Sequence, residues 1–382
     1  MSEAVIVAVA RSPIGRARKG SLVSLRPDDL LVQVIDAVFD QVPGLERSQV
    51  EDLIVGTASP RAEQGFNLAR VTALLAGMTD VPGTTVNRYC ASSLQAIRMA
   101  SHAVQAGEGD VFLAAGVECV SRYPTAGPDE DGFENPRFAA EDLPDVYIAM
   151  GETAENVAEL CDISREAMDA YALASQTRTA KAIADGFFER EIAPVRLPDG
   201  GMVTADDCPR PDTTIEGLAG LRPAFRPHGR VTAGNSCPLN DGAAAVLVMS
   251  RSRAAELDLQ PLARIVTSTA IGLNPEIMGL GPVEACRRAL DRAGMTMADV
   301  DLVEINEAFA AQVIPSMRQL DIPQEKLNVH GGAIALGHPF GMTGARIMTT
   351  LLNGLEITDG TVGLEAMCVG GGQGMAMIVE RL

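Results

Sequence analysis

The stretch V-N-R-Y-C-A-S-S-L-Q-A-I-R-M at residues 86–99 determines how the rest of the chain is interpreted. Residues 81–87 have the composition of a short strand, and from Ser92 onward apolar residues recur at helical spacing. Cys90 therefore lies where a strand is followed by a helix, and the backbone N–H groups and dipole at a helix N-terminus favour a thiolate. The pattern indicates a nucleophilic cysteine, and a buried structural cysteine is the alternative.

Length, charge and cysteine content limit the classes of function. The chain has 382 residues and a formal net charge of −19, which argues against nucleic acid or an anionic membrane as a partner. Its 7 cysteines are scattered without a C-x-x-C pair, so we expect neither a disulfide framework nor a metal site, and we favour a reducing, cytoplasmic location. No apolar stretch approaches the roughly 20 residues that span a bilayer.

Predicted strands and helices alternate along residues 1–120, which is typical of a mostly parallel sheet covered by helices. The same order recurs in the second half, where residues 298–305 resemble residues 48–55. We predict an internal duplication, with two unrelated α/β stretches as the alternative. The predicted parts are an N-terminal half, an inserted loop domain and a C-terminal half, at residues 1–120 with about 241–258, 121–240 and 259–382 respectively.

The predicted insertion differs in composition from both halves. Residues 127–144 read as an acidic loop rich in Pro and Gly, residues 153–186 as two helices, and residues 194–234 are rich in Pro, Gly and Thr. Segments of this kind usually carry ligand-binding loops on one face of a scaffold. The apolar run at residues 241–249 is predicted to be a strand that returns to the first half.

Two candidate functional stretches lie between predicted strands and helices of the second half. N-E-A-F at residues 306–309 follows a strand and precedes a helix, so Asn306 and Glu307 are either functional or simple helix caps. His338 lies between a glycine and a proline in a loop that leads into a helix. Glycines in such a loop permit the close approach of a ligand, and a structural loop histidine is the alternative.

A third stretch, M-C-V-G-G-G-Q-G at residues 367–374, directly follows a predicted buried strand. A phosphate-binding glycine loop requires a helix after it, whereas residues 375–380 read as another strand. A dinucleotide site is therefore excluded. What remains is Cys368 at a strand end, next to glycine N–H groups that can stabilise an oxyanion.

Together these motifs resemble the thiolase family, which comprises 3-ketoacyl-CoA thiolases and acetyl-CoA acetyltransferases. The resemblance extends over essentially the whole chain. The stretches that carry it are V-N-R-Y-C-A-S-S-L-Q-A at 86–96, M-G-E-T-A-E-N-V-A at 150–158, V-T-A-G-N-S-C-P-L-N-D-G-A-A-A at 231–245, N-E-A-F-A at 306–310, G-G-A-I-A-L-G-H-P at 331–339 and C-V-G-G-G-Q-G at 368–374.

The resemblance implies an α/β fold of two duplicated βαβαβ-type halves, which form a layered α-β-α-β-α core with an inserted loop domain. It implies that Cys90 is the nucleophile that becomes acylated and that His338 takes its proton. Cys368 would protonate the carbon of the leaving enolate. His338 and a water held by Asn306 would form one oxyanion hole, and the N–H groups of Cys90 and Gly370 a second one.

The resemblance also implies coenzyme A as a substrate, with no resident cofactor and no metal. Arg210 would lie near the CoA nucleotide and residues 234–237, including Ser236 and Cys237, would line the pantetheine channel, with Met150 as a further contact. The arginines of the insertion supply the local positive charge that an acidic protein needs for this anion; they are Arg210, Arg222, Arg226 and Arg230.

Three positions depart from the family pattern. Cys237 stands where the family usually has Ser, and a thiol donates a weaker hydrogen bond to pantetheine. Ser93 stands where Gly is common and fills space near the helix. Ala149 stands where short-chain biosynthetic members carry His, which leaves room for a longer or bulkier acyl group. The stretch M-G-E-T-A-E-N-V-A-E-L-C-D-I-S-R-E at 150–166, with E-I-M-G-L-G-P at 276–282, resembles degradative more than biosynthetic members, which favours a 3-ketoacyl-CoA thiolase of the β-oxidation type.

Two alternatives stay open at this point. The first is an acetyltransferase that forms acetoacetyl-CoA with the same residues, and the second is a thiolase-like protein that binds acyl-CoA or lipid without turnover. A Cys–His hydrolase is disfavoured because it needs no second thiol and because no protease or G-x-S-x-G signature is present. By resemblance we expect a homodimer or homotetramer, with a hydratase/dehydrogenase partner subunit as an option.

Overall fold

The computed structural model describes residues 2–123 and 134–382, so part of the acidic loop predicted at residues 127–144 lies outside the described residues. Within those ranges the strands are β1 (Ala4–Arg11), β2 (Gly15–Arg16), β3 (Asp52–Gly56), β4 (Gly83–Val86), β5 (Val111–Cys119), β6 (Val195–Arg196), β7 (Met202–Val203), β8 (Asn240–Ser250), β9 (Ala263–Gly272), β10 (Leu302–Ile305), β11 (Val362–Val369) and β12 (Gln373–Arg381). The α-helices are α1 (Pro27–Phe39), α2 (Leu68–Leu75), α3 (Ser92–Ala106), α4 (Arg137–Ala140), α5 (Met150–Leu160), α6 (Arg165–Ala184), α7 (Ile215–Ala219), α8 (Arg251–Glu256), α9 (Gly281–Ala293), α10 (Ala310–Gln319), α11 (Ala333–Leu336) and α12 (Thr343–Thr358).

The order of strands in the main sheet is β10-β11-β12-β9-β1-β8-β5-β3-β4. In the first half, β4, β3 and β5 are parallel and β8 and β1 follow in antiparallel pairing. The second half repeats this order and these directions in β10-β11-β12-β9, and Leu327 makes a parallel bridge to Val303 at the place that β4 occupies beside β3. The predicted duplication is confirmed, and the halves meet where β1 pairs with β9 at Val5 and Ile6.

Helices α3 and α12 lie between the sheets of the two halves, because α3 packs on β3, β5 and β8 while α12 contacts strands of both halves. Side-chain alternation along β8 accounts for the layering. Val246 and Val248 belong to the apolar cluster around α3 and α12, whereas Leu247 and Met249 pack with α1. Helices α1 and α2 cover the outer face of the first half and α9 that of the second, so the predicted α-β-α-β-α layering is confirmed.

The contact between α3 and α12 is unusually close. A Cβ atom at Gly344 would lie 2.4 Å from the backbone nitrogen of Leu94, so only glycine allows the two helices to approach this far. Next to it, the backbone N–H of Ala345 donates to Ser93 Oγ at 2.9 Å. Ser93, a departure from the family pattern, therefore satisfies an N–H group in the first turn of α12. The contact brings the N-termini of both helices together.

The segment inserted between β5 and β8 packs on the second half, since α5 contacts α10 and α6 contacts α10 and α11. Two helices were expected at residues 153–186, and α5 and α6 confirm them. Strand β8 returns to the first half between β1 and β5, as the sequence predicts. The domain boundaries themselves stay a prediction. In the described part of the chain, no helix combines the length and the apolar character needed to cross a membrane.

A group of charged side chains is buried in the central layer. Arg346 of α12 is 1% exposed, and Glu304 and Glu365 occupy neighbouring positions on the parallel strands β10 and β11. Burial raises the pKa of Glu304 to about 8, against the opposing effect of the Arg346 guanidinium. The pKa of Glu365 is likewise raised by burial. Glu304 is therefore protonated in the folded protein at neutral pH.

The raised pKa of Glu304 makes stability depend on pH. A glutamate in the unfolded chain has a pKa of about 4.3, whereas Glu304 in the folded protein holds its proton up to about pH 8. The folded state therefore binds this proton more tightly than the unfolded state. The contribution of Glu304 to the free energy of unfolding is fully present below about pH 4 and is lost as the pH rises to about 8. We expect the free energy of unfolding of the wild type, relative to Glu304→Gln, to fall between pH 5 and pH 8, as measured by urea denaturation. The exposed Glu325→Gln serves as the control. Parallel wild-type and E304Q profiles would contradict the assignment.

Candidate active site

Cys90 lies in a 3₁₀ turn, Tyr89–Ala91, between β4 and α3. The preceding residue, Tyr89, has a φ of 43°, which is unusual for a residue with a side chain and marks a strained turn. Ser92 Oγ holds this turn by accepting from the backbone N–H of Arg88 at 2.9 Å and donating to the carbonyl of Tyr89 at 2.6 Å. The strain is compensated locally, and it fixes the position of the Cys90 thiol at the start of α3.

The electrostatic surroundings of Cys90 differ from the sequence-based expectation. The nearby backbone N–H groups of Gly370 and of Cys90 itself lower the pKa of the thiol, but burial and the carboxylate of Glu118 outweigh them and raise it to about 12. The prediction that the helix N-terminus favours a thiolate is therefore wrong for this protein at rest. The thiol is protonated, and deprotonation requires a base.

His338 is held by three hydrogen bonds. Its backbone N–H donates to Asn240 Oδ1 at 2.9 Å, its Nδ1 lies 2.6 Å from Thr343 Oγ1, and its Nε2 lies 3.2 Å from Asn306 Nδ2. The Thr343 hydroxyl donates to the carbonyl of Pro339 at 2.8 Å, so it accepts from Nδ1–H. Nε2 then carries the lone pair and accepts from Asn306. This hydrogen-bond network assigns the tautomer.

Burial, together with the smaller effect of the positive charge of Arg346, lowers the pKa of His338 to about 3. The imidazole is therefore neutral and fully buried, with its only lone pair at Nε2. A neutral imidazole in a dry site is a competent proton acceptor once a substrate is bound. This geometry argues against a purely structural loop histidine.

Asn306 and Glu307 do not cap a helix. The N-cap of α10 is Phe309, which makes no side-chain cap hydrogen bond, so the capping alternative is wrong. The carboxylate of Glu307 instead accepts from Tyr171 and Ser175 hydroxyls at 2.9 and 2.6 Å and from the backbone N–H of Ile334 at 3.1 Å. Glu307 thereby anchors the segment that precedes His338.

Cys368 lies near the end of β11, paired with Gly374 across the turn to β12. The turn is tight because a Cβ atom at Gly372 (φ 77°) would lie 2.3 Å from the carbonyl of Leu273. Burial raises the pKa of Cys368, and the neighbouring thiols of Cys90 and Cys237 raise it further. The three thiols are therefore near enough to interact electrostatically, and the Cys368 thiol is protonated at rest.

Sequence reasoning missed two residues that organise the site. Glu118 accepts from the hydroxyl of Tyr123 at 2.7 Å and from the backbone N–H groups of Ala58 and Gly341 at 2.8 and 2.9 Å, which ties the loops around Cys90 together. Asn240 fixes the backbone of His338. A carboxylate in the otherwise apolar strand V-F-L-A-A-G-V-E-C of β5 was the available signal for Glu118.

Two cavities flank this constellation. One, of about 220 Å³, is lined by Arg210 together with Gln176, Thr213, Gly234 and Leu221 among others. The other, of about 260 Å³, reaches Cys90 and Gly370 and is lined by Ala58, Tyr89, Val146, Tyr147, Ile148, Met150, Phe340 and Gly371. Met150 was predicted as a CoA contact but lies in the second cavity, away from Arg210, because it begins α5 beside the Cys90 turn.

The remaining predicted CoA contacts are placed as follows. Ser236 Oγ donates to the carbonyl of Thr232 at 2.7 Å, and the backbone N–H of Cys237 donates to Ala308 at 3.0 Å. Arg226 is paired with Glu152 at 2.6 Å, and Arg230 donates to helix-end carbonyls of the insertion. These two arginines hold the insertion together and line a separate cavity with His228, so of the four proposed cations Arg210 is the one that lines the cavity beside Gly234.

The comparisons with known proteins agree with one another. The family model described as "Thiolase, N-terminal domain" matches residues 4–252, and the one described as "Thiolase, C-terminal domain" matches residues 259–381. The 3-ketoacyl-CoA thiolase of Bacillus subtilis is 44% identical over 394 residues, and the beta-ketoadipyl-CoA thiolase of Acinetobacter baylyi is 44% identical over 402, each alignment covering 100% of both chains. The crystal structure of the Bacillus anthracis acetyl-CoA acetyltransferase superposes with a TM-score of 0.93 at 42% identity, covering 100% of this chain and 99% of that one.

The raised pKa of Cys90 predicts how the free thiol reacts. Alkylation requires the thiolate, so the rate of modification of Cys90 by iodoacetamide should keep rising with pH up to pH 9 without levelling off. Peptide mass spectrometry distinguishes Cys90 from the other cysteines, and the Cys90→Ala variant provides the background rate. A plateau reached below pH 8 would contradict this prediction and restore the thiolate expectation.

Proposed function

The chain belongs to the thiolase family of acyltransferases, and we propose that it cleaves 3-ketoacyl-CoA with coenzyme A into acetyl-CoA and a shortened acyl-CoA. The observation that carries this proposal is the pairing of two thiols. The Cys90 thiol interacts with the backbone N–H of Gly370 and lies near the second buried thiol, Cys368. A second thiol as acid and base is what cleavage of a carbon–carbon bond requires and what hydrolysis does not.

The first half-reaction forms an acyl-enzyme. His338 Nε2 takes the proton of Cys90, and the thiolate attacks the 3-keto carbon of the substrate. The N–H groups of Cys90 and Gly370, which already point at the sulfur, are placed to stabilise the oxyanion of the tetrahedral intermediate. When the Cα–Cβ bond breaks, the electrons pass to the acetyl-CoA enolate, and Cys368 supplies the proton to its carbon.

The second half-reaction regenerates the enzyme. A second CoA thiol gives its proton to the Cys368 thiolate and attacks the Cys90 thioester, and the protonated His338 returns its proton to Cys90 as the acyl-CoA leaves. In the first half-reaction the Nε2–H of protonated His338 and a water held by Asn306 would donate to the enolate oxygen, in place of the 3.2 Å Asn306 Nδ2–His338 Nε2 hydrogen bond of the resting site. The scheme is ping-pong, and all atoms and protons are accounted for.

The size of the Cys90 cavity favours an acyl group larger than acetyl. On the measure by which a single water needs about 10–15 Å³, this cavity has about 260 Å³. Ala149 lies in the sequence between its lining residues Ile148 and Met150. These features support degradation of the β-oxidation type. The competing function, condensation to acetoacetyl-CoA, is favoured only by the name of the Bacillus anthracis structural neighbour.

Location and assembly belong to the same proposal. The chemistry needs Cys90 and Cys368 as free thiols, which a reducing compartment such as the cytoplasm maintains. Strand β4 forms one end of the sheet, and near it Phe66 is 97% exposed, with Leu74 and Leu75 of α2 each about half exposed. An apolar surface of this kind supports a homodimer or homotetramer. A hydratase/dehydrogenase partner remains an additional option.

The reaction is tested with a series of 3-ketoacyl-CoAs from acetoacetyl-CoA to longer chains. We expect kcat/KM for CoA-dependent cleavage to be highest for a chain longer than acetoacetyl. We also expect intact-mass spectrometry to show the acyl group on wild-type enzyme and not on Cys90→Ala. Cleavage confined to acetoacetyl-CoA would establish the acetyltransferase instead, and the absence of any cleavage would leave the non-catalytic binding protein.

Thr343 positions the imidazole of His338, and two variants distinguish this role from a purely structural contribution of the side chain. Thr343→Val removes the acceptor of His338 Nδ1–H and frees the tautomer, which should lower kcat by about 10–100-fold, as for other groups that orient a functional histidine. Thr343→Ser keeps both hydrogen bonds and should restore kcat and the wild-type pH profile. Equal losses in Val and Ser variants, with an unchanged pH profile, would show that the hydroxyl does not orient His338.

A further inference from the structure

The cavity that reaches Cys90 is lined by uncharged groups. Val146, Ile148, Met150 and Phe340 contribute apolar surface, and the remaining lining consists of two tyrosines, Ala58 and the backbone of the glycine turn. Its lining contains neither lysine nor arginine nor histidine in the described part of the chain. A carboxylate that entered this cavity would lose its hydration without meeting an opposite charge, which is costly.

Arg88 and Arg61, the arginines closest in sequence to the lining residues Tyr89 and Ala58, are already engaged. Arg88 donates to Gln95 at 2.9 Å and to Gln373 at 2.8 Å, and it does not line the cavity. Arg61 donates to Ser59 Oγ at 2.8 Å, with its guanidinium 5.8 Å from the ring centre of Tyr123.

Arg122 is paired with Glu63, and Arg137, whose neighbour Phe138 packs on Tyr147 of the lining, is paired with Glu141 at 2.6 Å. Residues 124–133, which lie outside the described residues, contain three acidic side chains and no basic one in the sequence. None of these groups offers a free positive charge to the end of an acyl chain.

The charge that does act on the cavity is negative. The carboxylate of Glu118 raises the pKa of Cys90, so its field reaches the sulfur from which the acyl group extends. Glu118 is 0% exposed, so water screens it little. The field of Glu118 therefore adds repulsion to the loss of hydration for an anionic acyl group.

We propose that the acyl group accepted at Cys90 ends in an uncharged apolar chain, and that 3-ketoacyl-CoAs with a terminal carboxylate are rejected. This inference rests on the proposed thiolase function and narrows its substrate class. Sequence identity does not make this distinction, because relatives named for 3-ketoacyl-CoA and for beta-ketoadipyl-CoA are both 44% identical to this chain. The uncharged lining of the cavity is what separates substrates with an apolar chain end from those with a terminal carboxylate.

The test compares two substrates that differ only at the chain end. 3-Ketohexanoyl-CoA and 3-ketoadipyl-CoA both have six-carbon acyl groups, which end in a methyl group and a carboxylate respectively. We expect kcat/KM for 3-ketohexanoyl-CoA to be at least about 100-fold higher. Values within tenfold of each other, or a preference for 3-ketoadipyl-CoA, would overturn the proposal.

Acetoacetyl-CoA in the same assay distinguishes failure of the inference about the acyl chain from failure of the proposed thiolase function. If it is cleaved while neither six-carbon substrate is, the thiolase activity stands and the inference about the acyl chain is overturned. If none of the three is cleaved, the proposed function fails and the inference fails with it.

A cation placed in the lining tests the physical cause. Ile148→Lys should shift the ratio of the two kcat/KM values towards 3-ketoadipyl-CoA by at least tenfold, and less at high salt. Ile148→Met, which is similar in volume and uncharged, should leave the ratio as in the wild type. A ratio unchanged by lysine, in a variant that still cleaves 3-ketohexanoyl-CoA, would show that charge in this lining does not select the substrate.

Discussion

The close approach of α3 and α12 governs the geometry of this protein. Gly344 leaves no room for a side chain against the backbone at Leu94, and the N–H of Ala345 donates to Ser93 across the same contact. Each helix belongs to a different half, and each half delivers one reactive group just before its helix begins. A larger distance between α3 and α12 would move the thiol of Cys90 away from the imidazole of His338.

Burial at this junction explains why the resting site is uncharged. The same desolvation raises the pKa of the Cys90 thiol and lowers the pKa of the His338 imidazole, so neither is ionised before substrate arrives. The groups placed to donate to them are polar rather than charged: the backbone N–H of Gly370 near the sulfur and the amide of Asn306 at the imidazole. Charge therefore develops only during the reaction, where preorganised donors are most effective.

The sequence predicted whatever depends on local pattern. Hydrophobic period and turn residues located the longer strands and helices, and three motifs identified Cys90, His338 and Cys368 as candidates. Short elements such as β2, β6, β7, α4, α7, α8 and α11 were missed. The expectation of a mostly parallel sheet was wrong, because β8, β1, β9 and β12 pair in antiparallel fashion and the sheet is mixed. The errors arose from contacts between distant segments. The protonated state of Cys90 depends on Glu118 from another strand, the role of Glu307 depends on Tyr171 and Ser175 of the insertion, and the tautomer of His338 depends on a single hydroxyl. None of these partners is encoded by spacing along the chain.

The two halves share a strand order but carry different reactive groups, Cys90 in the first half and His338 in the second. In the first half, residues 87–91 alone connect β4 to α3, and they include Cys90. The corresponding connection in the second copy runs over residues 328–342 and carries His338 in its added length. The candidate nucleophile and the candidate base therefore occupy equivalent connections in the two halves, of different lengths. Neither half alone carries both groups.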